Sequence, residues 1–185
     1  MTDNFRQAMF VMLVPVIIIS HHWLETSMTS HMAVQLPLLV FVGALFAGLL
    51  QTYSPRLVVF GQRYRISLLL YSLFTISLWM LPRLLDAALY QSSIAFLKWL
   101  SLPLAGISLV LCWRHLPFVL RGILHLELLA TLLRLGWLYL IAPQRYCVSY
   151  GINDQQQLGH VLLGYAAVYG LFLASSVLLG GRRAN

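Results

Sequence analysis

Apolar residues run along this chain in six long blocks separated by short polar breaks, near 7–24, 30–50, 66–82, 93–113, 117–141 and 158–179. Each block is continuous rather than alternating, so it reads as a helix that is apolar on every side and not as a half-buried strand. At 1.5 Å per residue, about 20 residues cross a hydrocarbon core of about 30 Å. The pattern predicts an all-α fold: a polytopic membrane helical bundle of about six transmembrane helices. The third block is the shortest and stops at Leu81-Pro82-Arg83, where proline and the following charge end an apolar helix. The fourth can also begin near Leu84, which leaves the hairpin between them regular or partly re-entrant. No internal repeat, low-complexity tract or long linker divides the chain, so residues 1–185 are read as a single integral-membrane domain.

The polar breaks orient the bundle. Arg6, Arg56, Arg63, Arg65, Arg114, Arg182 and Arg183 fall on one side, against Arg83 and Arg145 on the other. The positive-inside rule then puts both termini in the cytoplasm, with loops one-two, three-four and five-six facing outward. Arg6 followed by the apolar stretch Ala8 to Ser20 resembles the start of a signal peptide. Without a small-x-small site before His21-His22, an uncleaved first helix is expected.

Composition narrows the classes further. Of 185 residues, 60% are hydrophobic and 9% charged, against about 25% charged in ordinary soluble domains. With a mean hydropathy of +0.81, this excludes a soluble globule, a disordered chain, a fibrous repeat and a secreted disulfide scaffold together. The net charge of +7 sits largely in loops and comes with no base-reading motif, so it is an orientation signal and not a nucleic-acid footprint.

Most soft and imidazole ligands gather on the expected outer side, in the stretch from His21 to Gln35. In a helix, Met28, His31, Met32 and Gln35 fall at i, i+3, i+4 and i+7, on one face. Two thioethers and an imidazole pointing one way suit copper, and Cu(I) in particular. His21 and His22 close such a site from the preceding turn, with Glu25 fixing an imidazole tautomer. Methionines on an apolar helix are also ordinary packing residues, and histidines at a membrane boundary also sit among head groups. Both readings stand at this stage.

Three other places carry chemistry. In the segment Cys147 to His160, Asn153 or Asp154 makes a good N-cap and the following glutamines a solvated first turn, while His160, about a turn inside span six, lies at the depth of His31. Cys147 and His160 can complete a site shared by spans one, two and six. Cys112 and Cys147 fall on opposite sides of the membrane and cannot pair; Cys112 reads as a small buried apolar residue. In span five, Arg121, His125, Glu127 and Arg134 interrupt an otherwise apolar helix, which suggests an interior polar seam or an ion pair locking that helix to its neighbours. Bis-histidine haem finds no partner for His125 at matching depth.

The order of motifs resembles the multi-spanning CtaG-like proteins, which assist assembly of haem-copper cytochrome c oxidase. Ser30-His31-Met32-Ala33-Val34-Gln35-Leu36-Pro37-Leu38-Leu39 is similar to that family's His-Met-x-x-His and Pro-Leu-Leu segment. Leu81-Pro82-Arg83-Leu84-Leu85-Asp86-Ala87-Ala88-Leu89 resembles its Pro-x-x-x-Asp-x-Ala-Leu hairpin, Ala105-Gly106 its small residues in the next span, and Asp154-Gln155-Gln156-Gln157-Leu158-Gly159-His160 its Asp-Gln-x-x-Gly helix start. The resemblance runs from about residue 27 to 172. It departs at Gln35, where the family has a second histidine, and the chain is shorter than typical members.

The resemblance implies a non-enzymatic assembly factor of the bacterial inner membrane. It would hold or deliver copper for a respiratory oxidase through His31, with Met28, Met32, His21, His22 and His160 as auxiliary ligands. Partners are then membrane lipid and respiratory oxidase subunits or another membrane complex, with no nucleic acid. An accessory subunit of a membrane oxidase or monooxygenase, with no metal of its own, is the alternative. An enzyme or transporter built on span five has no nucleophile-base arrangement, phosphate loop or discontinuous-helix pair behind it.

Overall fold

The computed structural model describes residues 19–181 together with Met9, Met12, Pro15 and Val16. The first expected span, 7–24, lies partly outside the described residues; Met9, Met12, Pro15, Val16 and residues 19–24 are helical. Seven further helices follow: α1 (Ser30–Tyr53), α2 (Pro55–Arg63), α3 (Arg65–Trp79), α4 (Pro82–Tyr90), α5 (Ser92–Trp113), α6 (Phe118–Ile141) and α7 (Ile152–Gly181). No strand occurs among the described residues.

Among the described residues, three helices are long and apolar enough to cross a membrane: α1, α5 and residues Ile152–Leu178 of α7. A fourth crossing is available if α3 and α4 count as one broken span, bent by 74° between them. Leu81 adopts an extended conformation there and Pro82 starts the next helix, because proline lacks an N–H to continue the first. The third block thus ends at Trp79 and is followed by a short separate helix, a broken element rather than a plain hairpin. Block six starts at Ile152, six residues earlier than its apolar run, so Asn153 and Asp154 lie inside the helix instead of capping it.

α5 is the centre of the bundle. α1, α3, α4 and α2 pack around it, while α6 and α7 pair with each other as a long hairpin. The α1–α5 crossing is set by small residues: a Cβ on Gly43 would strike the Pro103 carbonyl, and one on Gly106 the Val40 carbonyl. Backbones this close are the form of helix packing that works without a hydrophobic driving force between helices. α3 is held to α5 by polar links, Ser72 Oγ donating to the Ala105 carbonyl at 3.0 Å and Trp79 Nε1 to Ser101 Oγ at 2.8 Å. The α6–α7 hairpin joins this unit at one end, where Tyr139, Leu158 and Leu162 pack with Met28, Met32 and Leu85. At the other end Trp113 meets His125 edge-on.

Candidate functional site

A buried polar cluster sits where α1 opens against the start of α5. The chain bends at 25–27, and Ser27 Oγ accepts the Ser30 N–H as the helix resumes. The first six residues of α1, Ser30–Gln35, form a π-helix before the α-helix proper begins. This widened turn is uncommon and concentrates at functional positions. It turns His31 and Gln35 together toward α5, and both are completely buried.

Facing them is Lys98, with 0% of its side chain exposed. Its Nζ donates to Glu25 Oε1 at 2.7 Å, to Gln35 Oε1 at 3.2 Å and to His31 Nε2 at 3.0 Å. An ammonium has three N–H bonds, and all three are used. The Tyr150 hydroxyl donates to the backbone carbonyl of Glu25 at 2.9 Å, so its oxygen is left to accept from His31 Nδ1–H at 3.0 Å. The tautomer follows from this bookkeeping: the imidazole carries its proton on Nδ1 and offers Nε2 to Lys98. Gln35 Nε2 donates back to Glu25 Oε1 at 3.3 Å. The cluster is a closed ring through Glu25, Lys98, His31 and Tyr150.

Its outer members are tuned accordingly. Partial burial opposes ionisation of Glu25, but the Lys98 hydrogen bond and charge, with help from Gln35 and His31, outweigh it and hold the carboxyl below its ordinary range. Burial first, then the Glu25 charge, pushes the Tyr150 phenol well above its usual value, which keeps it protonated as a donor.

The loop that carries Tyr150 is itself fastened. Asp86 Oδ2 accepts the Val148 N–H at 2.7 Å, and buried Gln155 accepts the Tyr146 N–H at 3.0 Å. Gln155 is thus a staple between α7 and the loop, where a solvated turn was expected.

The expected ligands divide. Met28 and Met32 are buried beside His31, with Met32 Sδ accepting from the Tyr139 hydroxyl at 3.9 Å, so they serve the core that docks α6 and α7. His21 and His22 are exposed on the segment before the bend, His21 lying edge-on to Trp99 at 6.2 Å. His160 is exposed on α7, outside the ring of hydrogen bonds. Cys147 is buried and free; burial, then the Asp86 charge, pushes its thiol up to about 12, away from the thiolate a metal needs. Cys112 is also free and lies in a separate core cluster.

Among the described residues no three His, Cys, Asp or Glu side chains converge as a metal site. Both nitrogens of His31 are engaged, and a buried ammonium occupies the position a metal cation would take. As arranged, this donor set fits Lys98 and not copper. Glu25 is the counter-ion of Lys98.

Lys98 and Tyr150 carry the site, and the apolar pattern hid both. The signal for Lys98 was available: a single lysine six residues into an otherwise apolar helix demands a partner, and Glu25, Asp86 and Asp154 are the acids on that side.

The span-five charges form no interior seam. Arg134 Nη2 donates to Glu127 Oε1 at 2.6 Å within α6, and both side chains face outward, 66% and 62% exposed. His125 turns inward, bonded to the Tyr169 hydroxyl, and Arg121 is part-buried with its Nε covered. Comparison with protein-family models, curated proteins and solved structures finds no match for this chain.

Proposed function

We propose that the protein is a multi-pass protein of the bacterial inner membrane, with six spans and both termini in the cytoplasm, that serves without catalysis of its own as a subunit or assembly partner of a larger membrane complex. The observation that carries this reading is the outward-facing Glu127–Arg134 pair in the middle of α6. Charges at that depth cost about 2.5–3.5 kcal/mol each against lipid, and ionisable groups inside membranes face protein or water. A partner surface that covers the pair removes the penalty. The long exposed face of α7, with Val168, Leu171 and Phe172, offers the apolar area for such a contact. The closed Lys98 ring supports a structural role for the polar core, since it leaves no open position for a substrate.

The resemblance to CtaG-like proteins supports a haem-copper respiratory oxidase as the complex. Copper holding is the second reading, favoured by Met28 and Met32 beside His31; it requires Lys98 to leave its present place. The test is mild-detergent purification of the tagged chain, with haem absorbance and elemental copper measured on the same sample after Cu(I) loading. Haem at fixed stoichiometry that disappears in Glu127→Leu/Arg134→Leu supports the subunit reading. A chain free of any partner, carrying about one copper lost in His31→Ala/His160→Ala, would replace it with the copper reading.

A further inference from the structure

Among the described residues, the end of the bundle remote from Lys98 carries charge of one sign only. Arg56 and Arg63 on α2, Arg65 at the start of α3 and Arg114 after α5 are all exposed there. Between Ser54 and Glu127 the one acid is Asp86, at the opposite end beside Val148. Nothing in this stretch neutralises the arginines.

Their backbone is fixed in place. Gly61 lies so close to α5 that a Cβ there would strike the Leu111 carbonyl, which pins α2 across the end of α5. Arg65 Nη1 donates to the His115 carbonyl at 3.4 Å, tying α3 to the turn before α6. The Arg63 guanidinium lies 5.6 Å from the centre of the Tyr64 ring. Beside these charges α2 exposes Val59 and Phe60. A short helix with arginines and bare apolar side chains is built to lie in the head-group layer, with its apolar residues toward acyl chains.

Arg121, in the first turns of α6 just beyond that turn, adds an independent sign. Its Nε is buried and has no hydrogen-bond partner among the described residues. A buried guanidinium N–H without an acceptor is a costly arrangement, and phosphate oxygens are its natural match.

We propose that this end of the bundle is a binding site for the phosphate of anionic phospholipid head groups, gripped by Arg65 and Arg121 and flanked by Arg56 and Arg63 on α2. The site goes beyond the subunit reading and does not depend on it. It predicts selectivity for phosphatidylglycerol over phosphatidylcholine, because the two share acyl chains and differ in net charge.

The test is lipid titration of the full-length protein in neutral detergent, with bound lipid counted by native mass spectrometry and folding checked by circular dichroism. Dioleoylphosphatidylglycerol is expected to bind in preference to dioleoylphosphatidylcholine. Its affinity should fall about fivefold for each arginine removed in Arg65→Gln/Arg121→Gln. Arg56→Gln/Arg63→Gln, on exposed α2, should show a similar loss even where the first variant folds poorly. Arg83→Gln/Arg145→Gln, at the other end, should bind as wild type. Equal binding of the two lipids, or equal loss in the Arg83/Arg145 control, overturns the proposal. Millimolar inorganic phosphate that displaces phosphatidylglycerol fully would assign the site to a soluble anion instead of lipid and overturn it as well.

Discussion

Lys98 Nζ lies 3.0 Å from His31 Nε2 across 67 positions of sequence, and that contact fixes which nitrogen of the imidazole holds the proton. The first turn of α1 and the bend at 25–27 meet on one ammonium, and Tyr150 in the loop before α7 joins them through His31.

Replacing Lys98 is therefore expected to be costly. Lys98→Ala leaves the Glu25 carboxylate without its counter-ion and His31 Nε2 without its donor, and breaking a buried pair from one side costs about 3–5 kcal/mol. Lys98→Met with Glu25→Gln removes both charges together and should recover most of that loss. Thermal unfolding of the detergent-solubilised variants measures both; a double variant as unstable as the single one would show that the ring is not an ion-pair clasp.

The same ring sets an acid limb. Because the folded state holds the Glu25 carboxyl below its ordinary 4.5, its contribution is fully present above that value and is lost as pH falls through the lowered one. Stability of wild type should decline on acidification in this window, and Glu25→Gln should start lower and decline less. Urea or thermal midpoints between pH 3 and 6 provide the check.

Tyr150→Phe keeps the ring volume and removes the hydroxyl that links His31 to the Glu25 carbonyl. A loss of about 1–3 kcal/mol is expected from two buried groups left unpaired. Hydrogen exchange should speed up in 25–35 and in the 142–151 loop and leave the α1–α5 crossing unchanged.

Glycines separate by their surroundings. Gly43→Ala and Gly106→Ala each push a methyl into backbone that has no rotamer to escape by, and should lower stability by about 1–3 kcal/mol. A Cβ on Gly122 meets nothing within 4 Å, so Gly122→Ala should stabilise α6 by up to about 1 kcal/mol. Thermal midpoints of the three variants, measured side by side, test the contrast.

The amino-acid pattern alone determined that this chain is helical and rich in membrane-length apolar segments, because hydropathy over 20 residues is a local quantity summed along one helix. It also marked where α3 must stop, since Pro82 breaks a helix whatever its surroundings. The end that gathers His31, Gln35 and Glu25 was visible for the same reason: the three lie within one short stretch. Tertiary structure alone decided what they do. A face shared by Met28, His31, Met32 and Gln35 says nothing about what lies opposite, and only the packing of α5 put an ammonium there. The outward direction of Glu127 and Arg134 was equally out of reach, because helical spacing shows that two residues share a face, while packing against α7 selects which face is covered.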